Sequence, residues 1–270
     1  MIFDLNPQSR VCVSHHKNHI KPRPMCTRYI TPENAAMERH WEIGRKNPPT
    51  WWNVHMHPRS TGPFIRSNQG QTELVMGQWA LIPWFAKEAK LAYSTVNARS
   101  EEVARKASYK QPWAKGQRCI IPAETFDEPC WETGKNVWWR FGRADGQALG
   151  LAGLWNTWVD AATGEVVESY TMLTLNADAH PLMNRMHKPD PKLPANGQDK
   201  RSVIPLNVSD ANQWLHGSLD DAKALVRLAP GDFFAGAPLE VQVGQMGQVG
   251  QVGQVGQIKP TGKSENNNLF

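Results

Sequence analysis

Ala148-Leu149-Gly150-Leu151-Ala152-Gly153-Leu154-Trp155-Asn156-Thr157-Trp158 is followed by the turn signal Ala162-Thr163-Gly164 and then by a second β-rich run, Val166 to Leu175. Two apolar runs joined by so short a turn read as neighbouring antiparallel strands. Moving toward the N-terminus, Val137 to Phe141 and Arg118-Cys119-Ile120-Ile121-Pro122 have the same character, with Ala144-Asp145-Gly146 as a further turn. Glu73 to Pro83 reads as a strand ending in Trp79-Ala80-Leu81-Ile82-Pro83-Trp84-Phe85, and Leu91 to Val96 as a strand-like run that delivers Asn97. His55-Met56-His57 alternates as one face of a strand does, and Ser202 to Leu206 closes the series. Helices are expected at roughly 33–45, where Thr31-Pro32 supplies a cap and a first-position proline, and at 101–107, where Ser100 caps and Glu101 and Glu102 suit the positive end. Two more are expected near 210–216 and 219–228. Strands and helices do not alternate regularly, so the expected class is α+β with a mainly antiparallel sheet.

The chain has 270 residues, 40% hydrophobic and 20% charged, which reads as a soluble globular protein with ample capacity for a core. No apolar run approaches the roughly eighteen residues of a membrane span, and residues 1–24 lack the apolar centre of a secretory signal. Four cysteines without framework spacing point to a reduced, cytoplasmic setting. Residues 1–24 read as an unstructured leader. Its Cys12, His15, His16 and His19 do not form the two separated ligand pairs of a structural zinc site, so no metal and no cofactor is expected. Residues 229–270 read as a flexible low-complexity tail, because the five three-residue units from Val243 to Gln257 are too short to pack on one another. The central domain is therefore expected over 25–228. Its mild positive bias permits a nucleic-acid partner. Of twelve tryptophans, eleven lie between Trp41 and Trp158; most suit a core, and one or two exposed ones would suit stacking on unpaired bases.

Met25-Cys26-Thr27-Arg28-Tyr29 carries a chemical possibility that no internal cysteine offers. With Met25 removed, Cys26 presents an α-amine and a thiol on adjacent carbons. Their reference pKa values, about 7.7–8.0 and about 8.5, leave both partly nucleophilic at neutral pH. Such a pair captures an aldehyde first as a Schiff base and then as a five-membered thiazolidine. Read alone, the dipeptide is an ordinary loop pair.

It does not stand alone. In order along the chain come Trp79-Ala80-Leu81-Ile82-Pro83, then Asn97-Ala98-Arg99-Ser100-Glu101, then Arg118-Cys119-Ile120-Ile121-Pro122-Ala123 with Phe126 and Glu128. Gly153-Leu154-Trp155 and Asn184-Arg185-Met186 add to these. With Met25 to Tyr29, the set resembles the SOS-response-associated peptidase (SRAP) family of abasic-site processing proteins over residues 25–228. The resemblance implies a barrel-like β core with flanking helices. It also implies that the chain acts as a monomer near the nucleoid, and that Cys26 crosslinks to abasic sites in single-stranded DNA. By the same resemblance Asn97 positions the sugar-derived atoms and Glu128 moves protons. Arg28, Arg99 and Arg185 grip phosphates, and Trp84 or Phe85 forms a wedge near the lesion. Met25 is then the expected initiator, with residues 1–24 absent from the mature protein, or else removed by a cysteine-type self-peptidase activity.

Three positions depart from the family pattern. Thr27 and Ala80 stand where glycines are usual, and Met183 stands where the family has an active-site histidine. His180 and His187, three before and four after Met183, could share its face on a helix and replace it. A lyase-like DNA crosslinker is the favoured function. A cysteine peptidase acting on other proteins and a non-covalent single-strand binder are the alternatives.

Overall fold

A computed structural model describes residues 26–41, 43 and 54–239. The leader, with its Cys12 and histidine cluster, and the Val-Gly-Gln repeats lie outside the described residues. Thirteen strands and four α-helices order as β1 (Arg28–Ile30), α1 (Asn34–Trp41), β2 (His55–Met56), β3 (Thr61–Asn68), β4 (Gln71–Trp79), β5 (Asn97–Arg99), α2 (Ala107–Ala114), β6 (Arg118–Ala123), β7 (Thr125–Cys130), β8 (Val137–Arg143), β9 (Leu149–Val159), β10 (Val166–Asn176), β11 (Arg201–Val203), β12 (Pro205–Leu206), α3 (Ala211–His216), α4 (Leu219–Leu225) and β13 (Phe234–Pro238).

Strands β10, β4, β3, β6 and β9 close into a ring, because β10 pairs antiparallel with β9 and parallel with β4. The β9–β10 hairpin pairs Val166 with Val159 through to Met172 with Gly153. A Cβ at Gly153 would sit 2.7 Å from the Thr171 carbonyl oxygen and 2.8 Å from Cys119 Sγ, so only glycine lets β9 and β10 cross this closely. A second, antiparallel sheet runs β13-β8-β7-β1-β2. The fold is thus the expected α+β class with a barrel-like, mainly antiparallel core.

Both faces of the central ring strands are buried, which is why their sequences read as nearly continuous apolar runs. Cys119, Ile121, Leu149, Leu151, Tyr170 and Met172 join Cys26, Tyr29, Phe126 and Phe141 in one core between ring and second sheet. Their neighbours Ile120, Ala152, Leu154 and Leu173 point the other way, against Met37, Trp113, Trp214 and Leu225 of the helices. Across the first core the Tyr29 and Tyr170 hydroxyls meet at 2.5 Å, and Tyr29 packs edge-on to Trp79 at 4.8 Å between ring centroids.

Several local expectations change. The helix expected over 101–107 is a series of turns, and α2 begins at Ala107. The Ser100 hydroxyl caps nothing. Glu101 instead takes the Arg201 guanidinium at 2.7 and 3.1 Å and the Asn176 amide at 2.8 Å, which draws its carboxylate away from a helix start. Leu91 to Val96 forms no strand; its carbonyls serve as isolated acceptors, from Leu81 N to Thr95 O and from Met172 N and the Trp79 indole to Val96 O. Strands β1, β3, β5, β7 and β13 lie outside the strand-like runs of the sequence. β13 pairs Phe234 with Arg143 through Pro238 with Trp139, so sheet pairing continues to Pro238, ten residues past residue 228. Among the described residues, no helix is long and apolar enough to cross a membrane.

Candidate functional site

Strand β1 pairs with β7 so that Arg28 faces Asp127 and Tyr29 faces Phe126. This register carries Cys26, two residues ahead of β1, to the end of β7 that bears Glu128. Both are buried: Cys26 is 1% exposed and Glu128 2%. The thiol donates to the Arg28 carbonyl at 3.6 Å. Burial raises the Cys26 pKa well above the ordinary thiol value, and the negative charge of Glu128 beside it raises it further. At rest the sulfur is therefore a protonated thiol facing a carboxylate.

Asn97 enters from the ring. It opens β5, which runs parallel to β10, and its Nδ2 donates to the Cys26 carbonyl at 2.8 Å. Its Oδ1 is buried without a hydrogen-bond partner.

The two histidines separate cleanly. At His180, Nδ1 accepts from the Leu182 and Met183 amides at 3.1 and 3.0 Å, and Nε2 donates to the Ala229 carbonyl at 2.9 Å. Both nitrogens are committed to holding the backbone, so the ring's orientation is fixed. His187 Nε2 donates to Glu128 Oε2 at 2.9 Å with both side chains buried, and its Nδ1 is buried without a partner. The helical argument for this placement does not hold. The segment turns only through the short 3₁₀ stretch Met183–Arg185 and then extends alongside β7, with Cys130 bridged to Met186 and His187 N donating to the Pro129 carbonyl at 2.6 Å. His187 takes a left-handed φ of 61°. Buried Lys200 donates from Nζ to the carbonyls of Met186 and His187, both at 2.6 Å. Met183 itself is fully buried core.

The remaining expected residues have partners of their own. Arg28 lies over Trp138 at 4.0 Å, Arg185 pairs with Glu132 at 2.6 Å and lies over Trp139 at 5.0 Å, and Arg99 pairs with Asp199. Arg99 and Arg185 keep about a third of their side chains in solvent. Trp84 and Phe85 are 62% and 42% exposed and meet edge-to-face at 5.7 Å. Their loop is pinned to the β9–β10 hairpin: Ile82 N donates to Ser169 Oγ at 2.9 Å, Asn156 Nδ2 to Ile82 O at 2.8 Å, and the Trp158 indole to Ala86 O at 2.9 Å. Two exposed aromatics on an anchored loop offer the kind of ring faces on which unpaired bases stack. Sequence reasoning missed Lys200, whose only signal was a cation in the proline-rich segment after Met186.

A closed β ring that sets a buried cysteine beside a carboxylate–imidazole pair defines a barrel-like α+β class of protein. The model of the SOS response associated peptidase (SRAP) family matches residues 25–246, and the chain belongs to that family. It is similar to the abasic site processing protein YoaM of Bacillus subtilis (strain 168), with 29% identity over 135 residues, 49% of this chain and 57% of that protein. It is also similar to the abasic site processing protein HMCES of Gallus gallus, with 27% identity over 176 residues, 50% of this chain and 51% of that protein. The chain thus spans a little over half the length of these curated relatives. A crystal structure of a protein from Bordetella bronchiseptica superposes with a TM-score of 0.70 at 35% identity, over 80% of this chain and 100% of that one. One from Bacteroides thetaiotaomicron superposes at 0.63 with 19% identity, over 79% and 92%, and shares the fold.

Proposed function

We propose that the chain processes abasic sites in single-stranded DNA by a covalent crosslink through Cys26, acting as the N-terminal residue. The observation that carries this reading is the buried Glu128–His187 pair set against the Cys26 thiol, with Asn97 on the Cys26 carbonyl. The unpartnered Asn97 Oδ1 and His187 Nδ1 are polar groups left for a ligand, because an unsatisfied buried group is unfavourable by about 1–3 kcal/mol.

In the proposed reaction the α-amine of Cys26 adds to the C1′ aldehyde of the opened abasic sugar, and the carbinolamine loses water to give an iminium. Glu128 takes up the proton released as the Cys26 α-ammonium becomes the attacking amine and returns it, relayed by His187, to that leaving water. The same carboxylate then takes the thiol proton as sulfur attacks the imine carbon. The new C–S bond closes the thiazolidine, and the nitrogen becomes a neutral secondary amine. The net change is loss of one water, with no redox partner. A protonated resting thiol suits this order, since the amine acts before the sulfur. His187 thereby serves in place of the histidine replaced by Met183. Arg28, Arg99 and Arg185 hold phosphates, and Trp84 with Phe85 stacks beside the gap left by the missing base. A lesion without a base leaves little stacking to undo.

Incubating the chain beginning at Cys26 with an abasic oligonucleotide, and in parallel with casein, tests this reading. The expected result is a heat-stable DNA adduct and intact casein. Cys26→Ser should give at most a labile Schiff base trappable by borohydride, because a hydroxyl is too poor a nucleophile to close the ring. Casein cleavage without an adduct would favour a peptidase instead.

A further inference from the structure

Beside the site lies a cavity of about 320 Å³ that the crosslinking chemistry does not use. It is formed between the turn at Pro58 and Arg59 and the loop from Ala89 to Val96. Two of its lining residues, Ala80 and Val96, belong to the same buried core as Cys26, and Val96 directly precedes Asn97. The cavity is therefore one residue removed from the group that holds Cys26.

Its lining is apolar at Pro58, Ala80 and Leu91, with a half-exposed Tyr93 ring at one side and no acidic residue anywhere in the wall. Thr95 supplies the second observation: the side chain is 1% exposed, and its hydroxyl has no hydrogen-bond partner. A hydroxyl both donates and accepts, so it can meet the polar edge of any base. Arg59 is the one charged group in the lining. Its backbone holds a left-handed φ of 71°, its amide donates to the Trp79 carbonyl at 2.7 Å, and its Nη2 donates to the Leu91 carbonyl at 3.0 Å. The guanidinium is thus fixed, exposed and cationic at the edge of the cavity.

We propose that this cavity seats the nucleobase of the nucleotide adjacent to the lesion, with Thr95 on its polar edge, Tyr93 against its face and Arg59 at its phosphate. The volume falls at the lower end of ligand pockets, as a single base requires. Three features carry the choice of a base over a peptide: an acid-free wall, one fixed cation, and a position beside the place where the sugar must lie. The assignment rests on the function proposed above, and deepens it from a lesion reader to a reader of the lesion's neighbour.

The test is non-covalent binding of the full chain to single-stranded oligonucleotides whose central residue is tetrahydrofuran, a stable abasic analogue without an aldehyde. In two companion oligonucleotides a second tetrahydrofuran removes the base on the 5′ or the 3′ side. Removing the base on one flank should weaken binding about tenfold, as loss of a stacked base does, while removal on the other flank should matter little. Thr95→Val and Tyr93→Ala should each abolish that difference, and melting temperatures establish that each variant is folded. Tyr93 is half-exposed, so Tyr93→Ala carries the comparison if Thr95→Val fails to fold; Arg59→Gln, which removes a phosphate contact, is expected to weaken all three oligonucleotides alike and is not counted among these variants. Equal binding of all three oligonucleotides by the parent, or discrimination retained in every folded variant, overturns the proposal. Crosslinking to an aldehyde-bearing oligonucleotide is scored separately. Flank discrimination without any crosslink would overturn the proposed chemistry and leave the base site standing, whereas crosslinking without discrimination would do the reverse.

Discussion

At the scale of single residues, only one of the two histidines can pass a proton. His180 has no free nitrogen, whereas His187 has one on Glu128 and one unpartnered. His187→Ala should therefore slow adduct formation at saturating DNA by a factor of about 10²–10⁴, the usual contribution of a positioned acid–base group. His180→Ala should leave that rate within a small factor of the parent. It should instead lower stability by about 1–3 kcal/mol, since it leaves the Ala229 carbonyl and two backbone amides without their partner. Crosslinking time courses paired with denaturant titrations separate the two outcomes. Cys26, Asn97 and Glu128 were legible in the sequence because each sits inside a short motif of fixed spacing. The choice between histidines was not legible, because it depends on where the chain runs after Met183. That path is set by tertiary contacts: His187 N on the Pro129 carbonyl and Met186 bridged to Cys130.

At the scale of elements, the segment Met186–His187 is held by Lys200 rather than by its own propensity. A non-glycine residue at positive φ is unfavourable by about 1–3 kcal/mol, so something outside the segment must fix it. Lys200 does so with two short bonds to consecutive carbonyls. Lys200→Met should release His187 from Glu128 and slow adduct formation at saturating DNA, with little change in affinity for the tetrahydrofuran oligonucleotide. An unchanged rate in folded Lys200→Met protein would show that the segment holds itself. The same dependence on distant partners explains which elements the sequence hid. β9, β10 and β6 announced themselves because both faces are buried. β3 contains Gly62 and Pro63 and ends in polar Arg66, Ser67 and Asn68, while β7 carries Asp127 and Glu128, so neither looks like a strand until its neighbours are in place. β13, with Gly236 and Pro238, is a strand only because β8 offers it an edge; its Phe234 packs on Phe126 at 5.5 Å.

At the scale of the whole molecule, the first core buries ionisable groups in their neutral form. Burial pushes Cys26, Cys119 and Tyr29 well above their ordinary values, with Glu128 adding to the effect at Cys26 and Tyr170 at Tyr29. An acid whose folded pKa is raised keeps its proton when the unfolded chain has lost it, so the folded state binds more protons at alkaline pH. Stability contributed this way is fully present below the unfolded thiol value, about 8.5, and declines as pH rises above it. Denaturant midpoints should therefore be level up to about pH 8 and fall steadily beyond about pH 9, and Cys119→Ala should show a shallower fall. A midpoint that holds or rises through this range would mean that these groups do not titrate as buried acids. The overall class was legible from the apolar runs and their turns. The ring closure was not, because it requires the parallel pairing of Ser169 with Gln78 and Tyr170 with Trp79, strands some ninety residues apart.

Whether Cys26 acts as an N-terminal aminothiol is read from the mass of the adduct peptide. Chain produced from the Met25 codon is incubated with an abasic oligonucleotide, digested with nuclease and protease, and weighed. The predicted species is the peptide that begins at Cys26 plus the sugar remnant minus one water, stable to borohydride and absent from Cys26→Ser protein. An adduct on a peptide that still carries residues before Cys26, or on any other residue, would contradict the account.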